Sequence, residues 1–197
     1  MESISIPYDK YFDLMDLTED EKNKRKKFSE EMEDVILFIF ALFSIMNQHN
    51  RINREFIISQ LKERYSEIVL QYMDIDKYLE EYIAAFSEET VDATLNHISK
   101  PFYLSGDRSI LISENEANGI FNYEQFKKAV DAGKTKKRWD TERDNKARET
   151  HAEINGVVIP INEPFVVGNS LMMFPKDTSL NAEMEQIANC RCTVKYF

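Results

Sequence analysis

Apolar residues recur at helical spacing through the first two thirds of the chain, then give way to short β-branched runs broken by proline and glycine. Thr18 followed by Glu21 is a capping-box pair, so a helix is expected through residues 22–48. Its later half, Val35 to Met46, is apolar nearly all round, which predicts burial, with Phe38, Phe40 and Phe43 as core residues. Asn53 is placed to cap a second helix carrying Phe56, Ile57, Leu61 and Tyr65. Asp74 or Asp76 starts a third, with Leu79, Tyr82, Ile83 and Phe86 on one stripe, and Pro101 is expected to stop it. Residues 106–112 look like a connector before a helix capped by Ser113, with Glu116 at its third position, and ended by Gly133.

Beyond Gly133 the pattern changes. Pro160, Pro164, Pro175, Gly156 and Gly168 separate short β-branched runs. Val157 to Ile159, Phe165 to Val167 and Cys192 to Tyr196 are the expected strands. The expected class is α+β: a mainly helical N-terminal part followed by a small C-terminal module with a short antiparallel sheet. The expected organisation is an extended arm over 1–20, a helical region over 21–109 and a C-terminal module over 110–197. In the arm, Tyr8, Tyr11, Phe12, Leu14 and Met15 are expected to anchor on a partner protein.

Composition narrows the classes. Among 197 residues, 30% are charged and 43% hydrophobic, which suits a globular chain. The longest apolar stretch is too short to span a bilayer, and the N-terminus lacks a basic region followed by an apolar core. The expectation is therefore synthesis in the cytoplasm, without a secretory signal and without a membrane partner. The net charge of -10 is uneven: residues 1–100 carry 12 lysines and arginines against 21 aspartates and glutamates. Such a half repels phosphate. Contact with nucleic acid is left to the one basic stretch of the second half, with Lys134, Lys136, Lys137 and Arg138 as candidates. Arg143, Lys146 and Arg148 continue it. The ordinary role of such a run is a solvated surface.

The last 60 residues hold the candidate chemistry. Cys190 and Cys192, the two cysteines, form a C-x-C pair, and His151 lies 39 and 41 residues before them. Thiolate sulfur and imidazole nitrogen suit zinc, and Asp177 is a candidate fourth ligand. On a strand, both thiols would face one side and Arg191 the other. If that side is the core, the cysteines act as small buried hydrophobes that close the module without metal. The absence of a second knuckle pair favours that closure. Arg191 would then bond Asp144 or Asp177. His151 is open to three roles: a satisfied polar residue of the fold, a metal ligand, or a general base. As a base it would act with Arg148 or Arg191 in a nuclease, but a clear second acid or base is lacking. Trp139 is expected to be a packing anchor, and Asp144 and Arg148, at i and i+4, a partly buried pair.

These residues also carry a resemblance. Trp139-x-Thr141, Asp144, Arg148-x-x-His151, Gly156, Phe165, Gly168, Pro175-x-Asp177 and Asn189-Cys-Arg-Cys192 stand in this order. They are preceded by the 113–133 helix pattern and a lysine-rich lead-in. Over about 110–197 the chain resembles the Mu-F-like head-morphogenesis family of tailed-phage minor capsid proteins. The resemblance is most specific at Arg148-x-x-His151 and at Asn189-Cys-Arg-Cys192. It makes Trp139, Asp144, Arg148, His151, Asn189 and Arg191 the family's structural motif. It implies a minor head protein of the virion, made in the host cytoplasm and not an enzyme, with portal or capsid subunits as partners. It also implies a link to packaged DNA, bound without sequence preference. Some members carry Cys-x-x-Cys where this chain has Arg148-x-x-His151, and some fuse a toxin domain after the module. The alternative reading is a phage-derived nuclease or toxin-related module using His151 and Arg148.

Overall fold

The computed structural model describes residues 8–142 and 146–197. The chain divides into two compact units, one of residues 1–26 with 114–197 and the other of residues 27–113. The class is α+β: helices fill most of the N-terminal part, and a few short antiparallel strands lie in the C-terminal part.

The 27–113 unit is helical. It holds most of α2 (Glu19–Gln48), then α3 (Arg54–Leu70), α4 (Lys77–Asn96), a 3-10 turn (Pro101–Leu104) and the start of α5 (Gly106–Asp131). Asn53 caps α3 by accepting from Phe56 N at 3.1 Å, and Asp76 caps α4 by accepting from Leu79 N at 3.2 Å. Each side-chain oxygen satisfies an amide that has no partner inside its helix. Met32, Ile36, Phe40 and Phe43 of α2 are buried with Ile57, Leu61 and Tyr65 of α3 and Leu79, Ile83 and Val91 of α4. Phe38 is half-buried beneath the Arg64 guanidinium, 4.0 Å from its ring centroid.

Two expected boundaries move. α4 ends at Asn96, before Pro101, and Pro101 opens the 3-10 turn instead, where its missing N–H costs nothing. Residues 106–112 are not a connector. α5 already runs from Gly106, where the Ser105 hydroxyl accepts from Arg108 N at 3.3 Å. Ser113 is therefore buried mid-helix rather than a cap, and its hydroxyl donates to Ser109 O at 2.8 Å. Serine suits either place, because its hydroxyl bonds backbone on both sides.

In the other unit the first described helix is α1 (Asp9–Phe12). Tyr8, Tyr11, Phe12 and Met15 are buried, and only Leu14 of the five expected anchors is exposed. Hydrophobic anchors without a clear period are as well satisfied by the chain's own core as by a partner. The capping box at α2 forms as expected: Thr18 Oγ1 accepts from Glu21 N, and Glu21 accepts from Thr18 N at 2.8 Å. α5 closes on a Schellman pattern. Gly133 has φ +68°, its N–H reaches Val130 O, and Lys134 N reaches Ala129 O.

A three-stranded antiparallel sheet follows, in the order β2 (Val158–Pro160), β1 (Lys136–Asp140), β5 (Thr193–Tyr196). Trp139 faces Val194 across one pair, and Lys137 lies between Ile159 and Tyr196. The central strand is thus the basic KKRWD stretch, which its charge disguised as surface. Its period is nonetheless that of a strand: Lys137 and Trp139 point inward, while Lys136 is exposed. A separate hairpin pairs β3 (Phe165–Val167) with β4 (Ser170–Met172) through a two-residue turn. Gly168 leads that turn at φ +59°, a conformation glycine adopts without strain. The core of this unit joins Trp139, Phe165, Val167, Met172, Cys190, Cys192 and Val194.

Candidate functional site

Two elements bring His151, Cys190 and Cys192 together. α6 (Glu149–Glu153) carries His151. The cysteines sit on the extended segment just before β5, not within the strand as expected. Both thiols are nonetheless buried, as is His151 at 2% exposure. His151 Nδ1 lies 3.2 Å from Cys192 Sγ and 3.7 Å from Cys190 Sγ. Its Nε2 donates to Gln186 Oε1 at 3.1 Å, an oxygen that also accepts from Thr150 Oγ1 at 2.9 Å. Gln186 comes from α7 (Met184–Ile187) and packs on Gly168, where an added Cβ would stand 3.2 Å from its amide nitrogen. With the imidazole proton committed to Nε2, the Nδ1 lone pair faces both sulfurs.

Thr141, just past the end of β1, fixes the same corner. Its hydroxyl accepts from Trp139 Nε1 at 2.9 Å and donates to His151 O at 2.8 Å. Trp139 is fully buried and packs edge-on against His151 and Phe165, so it is the anchor the sequence suggested.

The Asn189–Cys192 segment is held by three asparagines that were not among the expected site residues. Asn115, Asn118 and Asn122 recur at i, i+3 and i+7 on one face of α5. Asn118 Nδ2 donates to Cys190 O at 2.9 Å, and Asn122 Nδ2 to Cys192 O at 3.1 Å. Asn115 Nδ2 donates to Asn189 Oδ1 at 2.9 Å, where Asn189 sits at φ +53°. Tyr11 OH adds a bond to Cys190 O at 3.2 Å. The signal was available: three amides on one helical stripe that is otherwise buried imply an extended backbone to be satisfied.

The electrostatics are shaped by burial. The hydrogen bond between the two thiols holds the Cys190 thiol well below its usual range, and the same bond with burial pushes Cys192 up. Burial lowers buried Lys176, whose Nζ donates to Asn115 Oδ1 at 2.7 Å. Burial also raises Glu114 to about 7 against the pull of Lys176 and Arg191.

Several expected site residues stand elsewhere. Asp177 does not join the His151–cysteine group. It is fully buried, and its carboxylate accepts from Met173 N and Ser179 N, both at 2.9 Å. Arg191, expected to bond Asp144 or Asp177, lies near enough to Glu114 to act on its charge. Arg148 donates to Ala188 O, tying α6 to the segment before the cysteines. Asp144, and with it the expected Asp144–Arg148 pair, lies outside the described residues, as does Arg143.

The basic stretch splits. Lys134 and Lys136 are exposed. Arg138 forms a two-point ion pair with Asp140 at 2.8 and 3.1 Å. Lys137 is fully buried between the Phe126 and Phe165 rings, donates to Met173 O at 2.7 Å and is lowered to about 8 by burial. It is therefore a core residue, out of reach of DNA.

A nuclease assignment does not suit this arrangement. Both nitrogens of His151 are engaged inside the fold, and the Arg148 guanidinium is turned to a backbone carbonyl. A general base must present a nitrogen to its substrate.

Among the described residues no helix is long and apolar enough to cross a membrane. No curated protein and no solved structure matches the chain. A family model described as phage Mu protein F like protein matches residues 55–195, so the match begins well before the 110–197 segment that carried the resemblance. The chain belongs to the phage Mu protein F like family, and is a phage head-related protein.

Proposed function

We propose that the chain is a minor head protein acting in head morphogenesis, by binding portal or capsid subunits at the portal vertex and catalysing no reaction. The family match over 55–195 is the observation that carries this reading. Surface chemistry supports it. Val166 and Leu171 face each other across the β3–β4 hairpin and stand 62% and 43% exposed, an outward apolar pair suited to a protein partner. The acidic first half disfavours nucleic acid there, so contact with packaged DNA falls to exposed Lys134 and Lys136. Such contact would be weak and sequence-independent.

Immunoblotting of density-purified particles and capture by purified portal protein test the reading together. The chain should be present in particles, and Val166→Asp with Leu171→Asp should reduce its incorporation while the melting transition is retained. Absence from particles, with no binding to portal or capsid subunits, would overturn it. DNA affinity should fall steeply with added salt and drop on charge reversal at Lys134 and Lys136.

A further inference from the structure

We infer that His151, Cys190 and Cys192 form a zinc site in which the fold supplies three ligands and the adjoining cavity supplies water as the fourth. Three features of the geometry support this. The ligand atoms lie within 4.8 Å of one another, and all three residues are buried. For zinc, bonds of about 2.3 Å to sulfur and 2.0–2.1 Å to nitrogen at a tetrahedral angle place nitrogen and sulfur roughly 3.6 Å apart. The observed separations, 3.2 and 3.7 Å, bracket that value, so an ion enters with shifts of a few tenths of an ångström.

The second feature is orientation. Gln186 accepts the Nε2 proton of His151, which fixes the tautomer and directs the Nδ1 lone pair at both sulfurs. An outer partner of this kind is what a metal-bound histidine ordinarily has. The thiol pair is in turn held by the α5 asparagines through the Cys190 and Cys192 carbonyls, so the ligands are positioned by bonds that do not involve the sulfurs.

The third feature is space and charge. His151 and both cysteines line a cavity of about 20 Å³, room for a single water-sized body. Two thiolates and a neutral imidazole balance a divalent cation, so the loaded centre is neutral and is buried at little electrostatic cost. Asp177 is not needed, because water completes the tetrahedron, as in zinc sites that keep an open position.

The test uses the full chain, purified under reducing conditions and dialysed against metal-free buffer. Elemental analysis should find about one zinc per chain. Cobalt(II) added to the stripped protein should give thiolate charge-transfer bands and the visible bands of a four-coordinate ion. Zinc should also raise the melting temperature. Replacing either cysteine by serine should abolish binding. Because those variants alter the core, Gln186→Leu is the second one: it keeps all three ligands and should weaken affinity by about 10–100-fold. No zinc above the buffer level together with no cobalt–thiolate band in the folded wild-type chain would overturn the proposal. So would a Cys190–Cys192 disulfide in the reduced preparation, seen as loss of both thiol hydrogens in the intact mass.

Discussion

Replacing Lys137 by methionine tests whether β1 is a core strand or a basic surface. The ammonium is enclosed by Phe126 and Phe165, has Met173 O as acceptor, and is lowered to about 8 by burial. In the unfolded chain a lysine titrates near 10.4. Between those values the unfolded chain binds a proton that the folded chain does not, so stability rises with pH. Below about 8 both states are protonated, and the cost of the buried charge is present in full. From about pH 7.5 to 9.5 the linkage gives a rise of about 1–2 kcal/mol in the wild type that Lys137→Met lacks. Methionine fills a similar volume, so packing is largely kept. Urea unfolding of both proteins across that range gives the difference curve. Carboxylates and tyrosines common to both cancel in it. Parallel curves would show that Lys137 is solvated, and the account of β1 as the buried centre of the sheet would fail.

Two further predictions concern the same unit. Trp139→Ala removes a fully buried indole packed on His151 and Phe165 and should cost about 3–5 kcal/mol in chemical denaturation; a loss below about 1 kcal/mol would deny it the role of anchor. Glu114, raised to about 7 by burial, keeps a proton in the folded state that the unfolded chain loses near 4.3, so stability should fall as pH rises through that window. Discounted for its partial exposure, the fall is about 1–2 kcal/mol between pH 5 and 8 relative to Glu114→Gln, and equal slopes in thermal melts of the two proteins would refute it.

Features that depend on neighbours a few residues apart could be read from the chain alone. Thr18 with Glu21, Asn53, Gly133 and one of Asp74 and Asp76, which the structure shows to be Asp76, mark helix ends, because a cap is satisfied within about four residues and its partner is fixed by chain geometry. The α+β class followed from periodicity in the same way, and the family from residues in a fixed order. The meeting of His151 with Cys190 and Cys192 was legible only as a matching of chemical types, since residues 39 and 41 apart share no local geometry.

The remaining features depend on residues far apart in the chain. Lys137 is a core residue because Phe126, Phe165 and the Met173 carbonyl converge on it from distant parts of the chain, and no local pattern encodes that convergence. Asp177 left the candidate ligand set because two nearby amides take its oxygens, a choice settled by the turn that residues 173–179 adopt. Tyr8, Tyr11, Phe12 and Met15 are buried in this chain because hydrophobic burial is non-directional: the sequence shows that a side chain must be covered, and only the fold shows by what.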